Sequence, residues 1–155
     1  MGLLLLILMA ALVDLAIKSV IEEADPSEFP KKLEGSRGLI MLHRKHNAGF
    51  PMGVFKSRPE FVKVVPMVVL SGVAGIFFWV YPKKGYGAEK LGTSLVLGGG
   101  LSNLYDRMKK GYVVDYFSIR LGKLKKIVFN LGDIFIFLGA VILLLAEFAE
   151  TVRER

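Results

Sequence analysis

Residues 98–115, GGGLSNLYDRMKKGYVVD, read as the end of an apolar helix that abruptly acquires amide, carboxylate and guanidinium groups. At helical spacing Gly99, Asn103, Asp106, Arg107 and Lys110 share one side, because residues three and four apart are neighbours on a helix surface. Glycines let helices approach closely in lipid, and polar groups at membrane depth are expensive unless paired or used. A polar stripe beside a glycine-smooth one therefore points to a built site in a membrane protein.

Working outward from this stretch, the chain divides into apolar runs separated by polar ones. Residues of about 2–21, 61–81, 88–105 and 128–148 are expected to form four transmembrane helices, since about 20 residues at ~1.5 Å each cross ~30 Å of hydrocarbon. The second run holds a single charge, Lys63. The first lacks a basic leader and a small-residue cleavage site, so it reads as a retained span. Within it Asp14 and Lys18 are four apart and can pair along one helix face, which lowers the cost of a charge in lipid. The polar runs after the first and third spans fall on one side of the membrane. Tyr112–Leu121 is rich in β-branched and aromatic residues and reads as a strand ending at Gly122. The expectation is an all-α membrane protein of four transmembrane helices, with a small β-containing extramembrane subdomain formed by the loops after helices 1 and 3. Residues 1–155 make one membrane-embedded domain.

Composition narrows the chemistry. Hydrophobic residues make up 53% of the 155, more than a soluble core of this size requires. There is no cysteine, which removes disulfides, thiol nucleophiles and Cys-based metal or redox sites. A net charge of +7 on so apolar a chain favours anionic membrane lipids as partners; no nucleic-acid motif is present. His43 and His46 lack carboxylates within a helical turn, so neither a metal site nor a cofactor is expected, and a single chain is expected to suffice.

The polar residues Asn47, Asn103, Asp106, Arg107, Asp115, Asn130 and Asp133 all map to the loop side and can converge there. Without a thiol, a Ser/His/Asp order or a metal cluster, hydrolysis of an amide would rest on two carboxylates activating water, and Asp115 and Asp133 are the best placed. Like charges in a partly desolvated site share a proton. The same carboxylates could equally serve structure, proton relay or cation binding, and a small cation or proton transporter using Asp14, Asp106 and Asp133 is the competing class.

The segments 14–18, 46–55, 98–115 and 129–133, in that order on four spans, resemble lipoprotein signal peptidase, or signal peptidase II, over essentially the whole chain. GGGLSNLYDRMKKGYVVDYF is similar to the family's GNxxDR…GxVxDF segment, and FNLGD to its FNxAD segment. The resemblance implies an aspartic endopeptidase that removes the signal peptide just before a lipid-modified cysteine of a prolipoprotein, with Asp115 and Asp133 as the dyad. It implies that Asn103, Arg107 and Asn130 surround the dyad, that Asn47 and Gly49 belong to the first-loop motif, and that Asp14 and Lys18 are the first-span pair. It further implies the cytoplasmic membrane, both termini cytoplasmic and the active site at the outer face. The family's NxGAAFG reads NAGFPMG here, with Phe50, Pro51 and Met52 replacing small residues, and Ser102 and Gly132 stand for its glycine and alanine. Its DQxxK reads DLAIK. No dyad residue is lost; the changed first loop bears on substrate fit, and a lipopeptide-binding protein of altered substrate range is the alternative within the family.

Charge and resemblance conflict on orientation. The two large loops hold fourteen Lys and Arg, against five in the middle turn and tail, and a positive-inside count faces them to the cytoplasm. The resemblance places them outside, where lysines of a loop lying on the membrane meet anionic headgroups.

Overall fold

A computed structural model describes residues 2–50 and 54–153. It contains four helices and a small sheet: α1 Gly2–Glu23, β1 Lys31–Lys32, β2 Ile40–Asn47, α2 Pro59–Val80, α3 Gly87–Lys110, β3 Val113–Ile119 and α4 Leu131–Arg153. α1, α2 and α4 are long and apolar enough to cross a membrane. Their outward faces are strongly apolar, with Leu5, Leu8 and Leu12 of α1, Val68 and Phe78 of α2 and Leu144 and Phe148 of α4 all exposed. Apolar surface on this scale needs a lipid environment, and the molecule is a membrane protein.

α3 differs because its neighbours are protein. It packs against each of the other three helices, and its buried residues are mostly Gly, Ser, Thr, Asn, Asp and Arg. The three consecutive glycines explain the packing: about 100° separates successive residues on a helix. A Cβ on Gly98 would strike Ala10 and Ile7 of α1, one on Gly99 the Gly132 carbonyl of α4, and one on Gly100 the Leu70 side chain of α2. Gly99→Ala is therefore expected to cost about 1–3 kcal/mol, since backbone rather than a pliable side chain must move. Gly72→Ala, where nothing lies within 4 Å, should be neutral or slightly stabilising. Thermal unfolding of the helical signal in micelles checks this; equal midpoints for the two variants would refute the packing role.

The third span was expected to end near residue 105, with Asp106, Arg107 and Lys110 at helical spacing along the polar stripe. The helix continues to Lys110, closed by Gly111 at φ 81°, whose N–H bonds the Arg107 carbonyl. This left-handed cap suits glycine. Asp106 and Arg107 are thus carried on a rigid helix.

The sheet is antiparallel with order β1-β2-β3. Its register sets Asn47 opposite Val113 and Lys45 opposite Asp115, with an irregularity between Leu42 and Lys45. Val113 and Asp115 share a face of β3, so Asn47 lies diagonally across from Asp115.

Candidate active site

Asp115 and Asp133 are brought to the same place by unrelated local structures. Asp115 occupies mid-β3 and is 4% exposed. Its two oxygens accept hydrogen bonds from Asn47 Nδ2 at 3.2 Å and Asn130 Nδ2 at 2.9 Å. Asp133 lies in the first turn of α4, where FNLGD forms a reciprocal cap: the Asp133 N–H donates to Asn130 Oδ1 at 2.8 Å, and the Asn130 N–H donates to Asp133 Oδ2 at 3.2 Å. This satisfies N-terminal N–H groups that a helix cannot pair internally. The other Asp133 oxygen accepts from Asn103 Nδ2 at 2.9 Å. One Asn130 side chain thus caps α4 through its carbonyl and holds Asp115 through its amide.

The amides are oriented by what lies behind them. Asn47 Oδ1 accepts from the Gly49 N–H at 3.1 Å, which turns its NH₂ toward Asp115. Asn103 Oδ1 accepts from Lys18 Nζ at 2.8 Å, which turns its NH₂ toward Asp133. A carboxylate cannot be served by an amide oxygen, so these assignments are forced by the donors and acceptors present.

Lys18 is fully buried, 2.7 Å from Asp14, 3.0 Å from Ser102 Oγ and 3.5 Å from Asp106. Asp14, also fully buried, accepts from Ser102 Oγ at 2.5 Å, Tyr116 OH at 2.9 Å and the Leu131 N–H at 3.0 Å. It therefore ties α1 to α3, β3 and the start of α4. Asp106 does not reach either aspartate of the proposed dyad: it accepts from the Val114 N–H at 3.1 Å and pairs with Lys110 at 2.9 Å, fixing the turn from α3 into β3. Arg107 donates to the carbonyls of Gly49 at 3.3 Å and Asn103 at 3.4 Å and lies 5.8 Å from the Phe50 ring. Its buried Nε has no hydrogen-bond partner among the described residues.

Burial, followed by the nearby Asp133 charge, pushes the Asp115 carboxyl up to about 6, while the Asn47 and Asn130 amides and Lys18 pull it back. A group raised in this way keeps its proton to a higher pH than an ordinary carboxyl, up to about 6. The histidines stand apart: His43 Nε2 is 2.8 Å from Ser118 Oγ and His46 Nε2 is 2.6 Å from Glu22. Among the described residues no three His, Cys, Asp or Glu side chains could hold a metal ion.

The family model for signal peptidase (SPase) II matches residues 6–149. The chain belongs to the signal peptidase II family. Among its relatives, the lipoprotein signal peptidase of Halothermothrix orenii is 30% identical over 141 residues, covering 91% of each chain. That of Brucella ovis is 31% identical over 153 residues, covering 98% of this chain and 92% of the relative. A bacterial membrane enzyme solved by the in meso method at 2.3 Å resolution superposes with a TM-score of 0.82 over 99% of this chain and 92% of the other, at 18% identity. A second, solved at 1.9 Å, gives 0.76 over 94% and 91%, also at 18% identity. Signal peptidase II membership makes the chain a protease of the membrane, and the solved structures support the fold.

Two residues of this cluster were not singled out from sequence for what they do. Ser102 was read only as a replacement for glycine, yet its hydroxyl bridges Asp14 and Lys18. Tyr116 follows Asp115 on the strand, so its side chain leaves by the opposite face, where its hydroxyl meets Asp14. Of the first-loop departures Phe50, Pro51 and Met52, the last two lie outside the described residues, as does Gly53.

Proposed function

We propose that this chain is an aspartic endopeptidase that removes the signal peptide from diacylglyceryl-modified prolipoproteins, cutting just before the lipidated cysteine with Asp115 and Asp133 as the catalytic dyad. The observation that carries the reading is the convergence of two carboxylates on one residue, Asn130, whose side-chain amide donates to Asp115 and whose backbone N–H donates to Asp133, with separate amides, Asn47 and Asn103, holding the outer oxygen of each. In the working state the pair holds one proton. The ionised carboxylate takes a proton from water as its oxygen attacks the scissile carbonyl, and the protonated partner donates to the carbonyl oxygen. The tetrahedral adduct collapses with cleavage of the C–N bond, the leaving amine taking a proton from the dyad.

The remaining roles follow from their contacts. Asn47, Asn103 and Asn130 orient the carboxylates; Gly49 positions Asn47 and, with Arg107, shapes the entrance; Asp106 fixes the turn into β3; and Asp14 with Lys18 forms the structural ion pair underneath. We place α3 as a fourth membrane span, sheathed by the other three, in a single domain over 1–155. The sheet faces out of the cytoplasmic membrane and both termini face the cytoplasm, with basic residues near the sheet meeting anionic lipid. We propose a monomer as the working unit.

The transporter reading gains nothing from the geometry. Among the described residues α3 carries no carboxylate between Glu89 and Asp106, so no carboxylate relay follows it across.

The dyad's pH dependence tests the mechanism. Asp115 is raised to about 6, so raising pH through that value strips the shared proton, and kcat/KM should fall along a limb with its midpoint near 6. Because the Asn47 hydrogen bond lowers the Asp115 value, Asn47→Ala should move that limb to higher pH. The measurement is cleavage of a lipidated precursor across pH 4.5–8.5; a rate that climbs through pH 6–7 would count against the assignment.

A further inference from the structure

The cleft between α2 and α4 is unused by the chemistry so far. Both helices pack on α3, whereas neither packs extensively on the other. Gly100 of α3 faces Leu70 of α2 and Gly99 faces Gly132 of α4. The strip of α3 between those directions carries Glu89, Val96, Asn103 and Arg107, seven, seven and four residues apart, and so floors the gap along its length. At one end of this floor Asn103 holds Asp133.

At the other end the cleft widens into a hollow of about 480 Å³, walled by Ile76 and Trp79 of α2 and Leu143 of α4. Glu89 lines it from α3, and Glu147 and Glu150 from α4. None of these three carboxylates forms an ion pair among the described residues. Two neighbouring bases are engaged elsewhere: Lys83 Nζ lies 2.8 Å from the centre of the Trp79 ring and 5.5 Å from that of Tyr86, and Lys90 Nζ donates to the Lys83 carbonyl.

The two ends are separated by a definite length. Glu89 to Asn103 is fourteen residues of helix, as is Asp133 to Glu147, with Glu150 three residues further, or about 21–26 Å. A signal peptide has a positively charged amino end, an apolar run of about 7–15 residues and a short small-residue stretch before the cut. As a helix it spans the same distance with its charge at the far end. An acyl chain would match the apolar walls, but an anionic headgroup would meet three carboxylates.

We infer that the α2–α4 cleft seats the helical signal peptide, with its basic amino end held by Glu89, Glu147 and Glu150 and its scissile bond at Asp115 and Asp133. This rests on the proposed peptidase reading and adds a subsite to it. The occupant enters through lipid between two helices that do not close on each other, and charge at the far end sets its depth.

The test compares Glu89→Gln/Glu147→Gln/Glu150→Gln with the parent on two lipidated precursors, one with lysines at the amino end and one with glutamines there. For the lysine precursor the triple variant should raise KM about tenfold, as several partly exposed ion pairs allow, with kcat unchanged and the difference shrinking as salt rises. On the glutamine precursor parent and variant should behave alike, which also reports an intact fold. The inference is overturned if the triple variant treats both precursors as the parent does, as expected of a lipid-filled cleft, or if it loses activity equally on both, as expected of a structural role. Persistent cleavage by Asp115→Asn would instead remove the peptidase reading.

Discussion

Lys18→Met is expected to destabilise the folded protein by about 3–5 kcal/mol, the loss seen when one partner of a buried ion network is removed. The ammonium is fully buried and lies within 3.0 Å of Asp14, Asn103 and Ser102, with Asp106 at 3.5 Å. Methionine fills a similar volume, so the cost is electrostatic: two carboxylates with no exposed surface lose the charge that offsets their desolvation. In a chain of this length a loss of that size lowers the unfolding midpoint by roughly 10 °C. Asp14→Asn keeps an acceptor for Tyr116 and the Leu131 N–H while removing one charge, so Lys18→Met should cost measurably less in that background. Thermal unfolding of all four proteins in micelles closes the cycle. A parental midpoint for Lys18→Met would show that the network is not what joins α1 to the site.

On the proposed mechanism Lys18 also has a catalytic consequence at one remove. Its bond to Asn103 Oδ1 turns the Asn103 amide toward Asp133. Variants that survive folding should therefore lose kcat, because the outer oxygen of Asp133 loses its fixed donor.

Much of this arrangement is legible in the sequence because it is local. The four-residue spacing of Asp14 and Lys18 predicts a pair on one helix face, and the pair forms. FNLGD places Asn130 and Asp133 three apart at a helix start, the spacing of a reciprocal cap. The β-branched run after Gly111 predicts the strand that carries Asp115. In α3 apolarity stops at Tyr105 while the helix does not: Asp106 and Arg107 turn inward, where Lys18 and the Gly49 carbonyl receive them. Hydropathy averages around a helix, and this end of α3 is divided: Leu101, Tyr105 and Met108 are exposed while Asn103, Asp106 and Arg107 are buried. Tertiary partners were out of reach altogether. Nothing in the spacing of Asn47 indicates that a sheet register with an irregularity at 42–45 sets its amide against Asp115. Ser102 and Tyr116 share a partner in Asp14 only because three elements meet there.

Asp115→Asn and Asp133→Asn are each expected to reduce cleavage by about 10⁴-fold or more, the scale on which members of an acting-as-one catalytic unit fail when removed. The physical reason is that an amide can neither take the water's proton nor hold the one the pair shares. Both replacements keep shape, and Asn at 115 keeps one acceptor for Asn47 or Asn130, so the fold should survive. Because the proposed dyad performs one job, the double variant should be no slower than either single one. Independent contributions would multiply instead, placing the double variant far below both.

The most direct measurement is single-turnover cleavage of a diacylglyceryl-modified precursor by the parent, the two single variants and the double variant, read by the mobility shift of the released lipoprotein. The account predicts rapid conversion by the parent and the same residual rate, near background, for all three variants. Parental cleavage by either single variant would contradict it.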